Sequence, residues 1–147
     1  MLTVPKPHST FEFYYIEISP TSGLASVVGV SKDIETDSFG ITLKSEFANM
    51  EERLSKIYGE GEKYDLLIPG SIWYEPNEWM MSLYQKERIL TISWSNENEV
   101  ILKNDLSKIT LIAYAVSIDT GVIAVEYRFT NYIIYEIELE VQEDESF

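Results

Sequence analysis

The chain has no cysteine, a single histidine, and 11 basic residues against 25 acidic ones. Each scarcity closes off some chemistry. Without cysteine there is no disulfide, no thiolate nucleophile and no thiolate ligand for zinc; the absence also fits a reducing compartment. The one histidine, His8, lies between Pro7 and Ser9 in residues 1–10, expected to be a flexible N-terminal segment. A Ser–His–Asp or Cys–His arrangement needs a positioned imidazole, and no second histidine supplies one. Binding nucleic acid directly requires clustered Lys and Arg, but here the basic residues are scattered among acids. No run approaches the ~18 consecutive apolar residues of a membrane span. Met1–Thr10 carries no apolar stretch of the secretory type. The expectation is a cytoplasmic protein that contacts neither membrane nor nucleic acid.

What the chain does have is a core and a large negative charge. Hydrophobic residues make up 45% and aromatics 13% of its 147 residues, with a formal net charge of −14. Disordered acidic chains are poor in aromatics, so this charge belongs to a packed domain. The length suits one domain, 1–147, which buries roughly 68–70% of its unfolded surface without staples.

Phe11–Ile18 and Leu24–Val30 are rich in aromatic and β-branched residues and flank Ser19-Pro20-Thr21-Ser22-Gly23, a hairpin pattern. Phe39, Leu43, Phe47, Met50, Leu54 and Ile57 recur at spacings of three and four, the stripe of an amphipathic helix over Ser38–Tyr58. Asp37 or Ser38 suits its N-cap and Gly59 its C-terminal stop. Gly59–Ser71 reads as a loop. Pro76 suits the first turn of a second helix ending near Lys86, with Trp79, Met80 and Leu83 on its apolar face. Ile89–Trp94 alternates as a strand; Ser95–Ser107 is polar, with a possible short strand at Val100–Leu102. Ile109–Val116 and Val122–Phe129 form a second hairpin, apolar on both faces and therefore interior to the sheet. From Tyr132 onward the pattern fits a strand through Ile133, Tyr135, Ile137, Leu139 and Val141, or a helix through Ile134, Ile137 and Val141.

Motifs for chemistry are few. Asp33, Glu35 and Asp37 alternate like the start of a calcium loop, but Ser38 replaces the needed glycine and Lys44 the bidentate glutamate. Gly59-Glu60-Gly61-Glu62 would repel phosphate. Paired carboxylates, Asp33/Glu35/Asp37 or Glu75/Glu78, leave a small hydrolase as a third reading, one that requires a cleft. No metal site and no cofactor is expected. Two acidic surfaces stand out as partner sites. In the first, Glu60, Glu62, Asp65, Glu75 and Glu78 interleave with Tyr64, Trp73, Tyr74 and Trp79, and Tyr74 is the expected anchor. Trp73 and Trp79 also read as core residues beneath a solvated acidic rim. The second is the tail, with Glu138, Glu140, Glu143 and Asp144.

One set of segments runs in a distinctive order: Ser19-Pro20-Thr21-Ser22-Gly23, Phe39-Gly40, Tyr58-Gly59, Tyr64-Asp65-Leu66-Leu67, Gly70-Ser71-Ile72-Trp73, Glu75-Pro76, Trp79-Met80, Glu87-Arg88, Trp94, Tyr127-Arg128-Phe129 and Asn131. It resembles a family of small acidic bacterial proteins that includes immunity proteins of contact-dependent growth inhibition and related polymorphic toxin systems. The resemblance implies a helical segment over 132–145 and carries no catalytic residues.

The expected fold is α+β: an antiparallel sheet of about five strands with the long helix on one face, and the second helix and C-terminal segment closing an end or the other side. The resemblance and the charge together imply an immunity protein that binds a basic toxin domain, a nuclease in the leading case, and occludes its substrate surface. A DNA mimic or other acidic regulator of a nucleic-acid enzyme is the alternative. The sequence does not specify the oligomeric state.

Overall fold

A computed structural model of the chain describes residues 11–19, 23–95 and 106–129. It is an α+β fold whose described sheet has seven strands, all pairings antiparallel. The strands are β1 (Phe11–Ser19), β2 (Gly23–Ser31), β3 (Ile34–Glu35), β4 (Glu62–Leu67), β5 (Arg88–Ser95), β6 (Leu106–Ala115) and β7 (Thr120–Phe129). They run in the order β1-β2-β7-β6-β5-β4, and the short β3 continues along β7 beyond the end of β2. The helices are α1 (Ile41–Tyr58) and α2 (Trp79–Tyr84), the latter entered through a 3-10 turn at Pro76–Glu78.

Both expected hairpins form, and β6 and β7 are interior as their two-sided apolar sequences require. Cross-strand register puts Leu90, Ile92 and Trp94 of β5 on one face with Ile109, Leu111 and Ala113 of β6 and Ile123, Val125 and Tyr127 of β7. These nine side chains are buried and take the α1 stripe, of which Leu43, Phe47, Met50 and Leu54 are buried. Phe39 and Ile57, at the two ends of the expected stripe, stay exposed.

The sheet has more strands than the five expected. The added ones are β3, only two residues long, and β4, which lies inside the expected Gly59–Ser71 loop. Both form through tertiary pairing; β4 hydrogen-bonds along its length to β5. The long helix starts at Ile41, not Ser38. Gly40 adopts a left-handed conformation there (φ 71°), and the first free N–H groups are capped from outside the helix. Ile41 N–H donates to Asp37 Oδ1 at 3.1 Å, and Thr42 N–H donates to Thr36 Oγ1 at 3.1 Å. Gly59 ends the helix as expected, at φ 87° with its N–H on the Ser55 carbonyl. The second helix stops at Tyr84, two residues before Lys86. The possible strand at Val100–Leu102 and the helix-or-strand alternatives for 132–145 lie outside the described residues.

Tyr127 links the core to pH. Burial, reinforced by Tyr58 and Tyr14 nearby, pushes its phenol well above the usual tyrosine range. The unfolded chain ionises near its ordinary value of 10.0 while the folded chain keeps the proton. The stabilising effect of the buried neutral phenol is thus complete below pH ~10. It is lost as pH rises from there toward the folded value, at up to about 1.4 kcal/mol per pH unit. Urea titrations at pH 8 and pH 11 are expected to show this alkaline loss, and Tyr127→Phe is expected to reduce it.

Candidate partner-binding edge and an adjoining cavity

The sheet ends at β4, whose outer side has no strand neighbour among the described residues. A free strand edge offers unpaired main-chain donors and acceptors, and natural proteins protect such edges with charge. Here Glu62, Lys63 and Asp65 supply that charge on an otherwise exposed strand. Asp65 pairs with Arg88 Nη1 at 2.8 Å, Lys63 with Glu51 at 3.4 Å, and the Tyr64 hydroxyl donates to Glu62. That last bond, the largest contribution, raises the Tyr64 pKa.

The chain leaves β4 through a turn at Ile68–Ser71. The Ser71 N–H returns to the Ile68 carbonyl at 3.1 Å, with Pro69 and a left-handed Gly70 (φ 86°) in the two central positions that a type II turn requires. The Ile68 N–H donates to the Glu87 carbonyl at 2.7 Å, fixing the start of this loop to the α2–β5 junction. Along this path Leu66, Ile68, Ile72 and Tyr74 are 54%, 51%, 68% and 67% exposed. Four large apolar side chains left in water within nine residues are candidates for an interaction surface.

The sequence-derived site residues fall into two groups. Glu60 precedes β4 and Glu62 opens it, whereas Tyr74, Glu75 and Glu78 follow its far end, beyond the Ile68–Ser71 turn. Glu75 and Glu78 also have structural work. They form a reciprocal capping box on the 3-10 turn, each carboxylate accepting the other's backbone N–H. Asp65 is tied to Arg88. Of the aromatics, Tyr74 is exposed, Trp73 is half-buried, and Trp79 is a core residue at 4% exposure, as its core reading anticipated. Glu138, Glu140, Glu143 and Asp144 lie outside the described residues.

Trp79 carries a second electrostatic feature. The Lys44 ammonium lies 4.4 Å from its ring centroid and the Arg88 guanidinium 5.7 Å. Desolvation against the ring lowers the Lys44 pKa, nearby Arg88 adds to this, and Asp65 and Asp37 oppose it. Arg88 is held in place by Asp65 and by Ser82 Oγ, which accepts from Nε at 2.9 Å.

Sequence reasoning missed the cavity beside this edge. The β5–β6 ladder stops at Thr91↔Ile112. Beyond it, Leu90, Ile89 and Arg88 turn to β4, while Ala113, Tyr114 and Ala115 stay with β7. The two strands therefore splay into a V. Between its arms, closed on one side by Leu83 and Tyr84 of α2, lies an apolar cavity of about 300 Å³. No carboxylate lines it, so neither Asp33/Glu35/Asp37 nor Glu75/Glu78 belongs to this cavity. Asp37 instead caps α1. Among the described residues no cluster of three acidic or histidine side chains could hold a metal ion, and no helix is long and apolar enough to cross a membrane.

Lys86, at the mouth of the cavity, has a left-handed backbone with φ 61°, the only non-glycine residue among those described with positive φ. The cause is the way α2 ends. Lys86 N–H bonds the Leu83 carbonyl and Glu87 N–H bonds the Ser82 carbonyl, a Schellman termination whose hinge residue is usually glycine. Lysine at that hinge costs about 1 kcal/mol.

No protein-family model matches the chain, and neither a curated protein nor a solved structure is significantly similar to it.

Proposed function

We propose that the chain is a stoichiometric inhibitor, an immunity protein that acts in the cytoplasm by binding a basic toxin domain and covering its substrate surface, with a nuclease as the leading target. The observation that carries this reading is the stretch from β4 to the 3-10 turn. Between Gly59 and Glu78 there are five carboxylates and one cation, Lys63. Among them stand the exposed Leu66, Ile68, Ile72 and Tyr74. Apolar anchors flanked along the chain by carboxylates suit a protein whose own surface is cationic, because the anchors supply affinity and the charges steer the encounter. A nuclease needs such a cationic surface to hold phosphates. The resemblance of the segment order to immunity proteins points the same way. A DNA mimic would display rows of carboxylates at phosphate-like spacing; here a stretch without acids, Leu66 to Tyr74, separates Asp65 from Glu75, and two of the acids cap a turn.

The test is binding to a basic protein domain encoded by the adjacent gene. Ile72→Ala and Tyr74→Ala remove exposed side chains and are expected to leave the melting temperature unchanged. Together they should weaken the complex about tenfold or more, chiefly by faster dissociation. Glu60→Lys, at the opposite end of β4, should act mainly on the association rate. Unchanged affinity in the Ile72/Tyr74 double variant would remove this edge as the interface.

A further inference from the structure

We propose that the V between β5 and β6 is a binding site for a small apolar molecule bearing one carboxylate, whose acid group is read by Lys86. Three independent observations meet there. The first is the cavity, about 300 Å³, a size at the lower end of small-molecule sites and apolar as such sites are. Leu83, Ile89, Leu90, Ile112, Ala113 and Ala115 furnish its aliphatic surface. Its two strand walls are held by sheet pairing, the β4 ladder fixing one arm and the β7 ladder the other.

The second observation is the hinge. A Schellman termination admits glycine freely, and glycine would relieve the left-handed strain at position 86. The chain keeps a lysine there, at the cavity mouth, against its own stability. A strained residue held beside a cavity is a reason to look for a role for its side chain. The third is charge. Arg88, the other cation lining the cavity, is engaged by Asp65 and Ser82. None of the ion pairs among the described residues involves Lys86. In a chain of net charge −14, an ammonium with no carboxylate partner among the described residues, at the rim of an apolar cavity, selects an amphiphilic anion. A neutral apolar molecule leaves the ammonium unused, and a polyanion is repelled by the rest of the surface. The site adjoins the proposed partner edge but does not rest on it, and its test needs no toxin.

Octanoate and its neutral counterpart octanol are the probes, titrated into the full-length protein and followed by amide chemical shifts. Octanoate is expected to bind saturably, with shifts concentrated at Leu83–Thr91 and Ile112–Ala115. Octanol is expected to bind about fivefold more weakly, the worth of one partly exposed ion pair. Lys86→Gly, which the hinge tolerates, should lower octanoate affinity to the octanol level while leaving octanol unchanged. Ala115→Leu, which fills the V from the β6 side, should abolish both. The proposal is overturned by non-saturating shifts, by shifts centred elsewhere, by equal binding of the two probes, or by octanoate binding that survives Lys86→Gly or Ala115→Leu undiminished.

Discussion

Trp94→Ala is expected to destabilise the fold by about 3–5 kcal/mol, a large part of the stability of an ordinary domain. Trp94 is fully buried at 0% exposure on the helix-covered face of β5. It faces Ile109 across the β5–β6 ladder, and its ring is close enough to Gly61 that a Cβ there would stand 2.7 Å from Cε2. Its indole N–H also donates to the Gly59 carbonyl at 2.7 Å, satisfying one of the carbonyls left open where α1 ends. Truncation therefore opens a cavity and orphans a helix terminus together. Trp94→Phe separates the two effects. It keeps most of the packing and loses the hydrogen bond, so about 1–2 kcal/mol is expected. Urea denaturation of both variants checks the order; equal losses would mean the hydrogen bond, not the packing, dominates.

Gly40→Ala is expected to cost about 2–5 kcal/mol, unusual for the addition of a single methyl group. Two terms add. The left-handed backbone at φ 71° penalises any Cβ by about 1–2 kcal/mol. The Cβ would also collide with the Trp79 ring, which is buried and cannot swing away, and overpacking of this kind adds about 1–3 kcal/mol. The contact matters because it joins the two helices: Met80 N–H donates to the Ser38 carbonyl at 3.0 Å just before α1 begins. Gly23→Ala is the control. Gly23 has φ 87° but open space around its would-be Cβ, so only the backbone term applies. Comparable losses at the two positions would show that the Trp79 contact yields.

The elements the sequence reveals are those whose side chains fix their environment locally. The α1 stripe and the two hairpins carry their burial pattern in their own residues. The strand β4 does not. Glu62-Lys63-Tyr64-Asp65-Leu66-Leu67 is polar and five of its six residues are exposed, so no periodic signal separates it from a loop. It becomes a strand because β5 offers a pairing edge. The acids of the proposed partner edge were legible as composition, but their division between the two ends of β4 was not, since that depends on the same pairing. Nor was the double duty of Glu75 and Glu78, although Glu75-Pro76-Asn77-Glu78 has the spacing of a capping box and was open to being read as one. The cavity had no sequence signal at all. It arises where two strands choose different neighbours, a property of the whole sheet. Lys86 hid the helix stop for a simpler reason: lysine stands where glycine would have announced it.

The central claim is that this acidic edge meets a cationic protein. The most direct measurement is the association rate with the basic domain encoded by the neighbouring gene, taken across ionic strength. A complex steered by the charge of −14 is expected to form near 10⁸ M⁻¹s⁻¹ at low salt and to slow about tenfold or more by physiological salt. It is expected to dissociate at a rate that changes little, since apolar anchors hold it. A complex whose association is indifferent to salt, or no complex at low salt, would contradict the account.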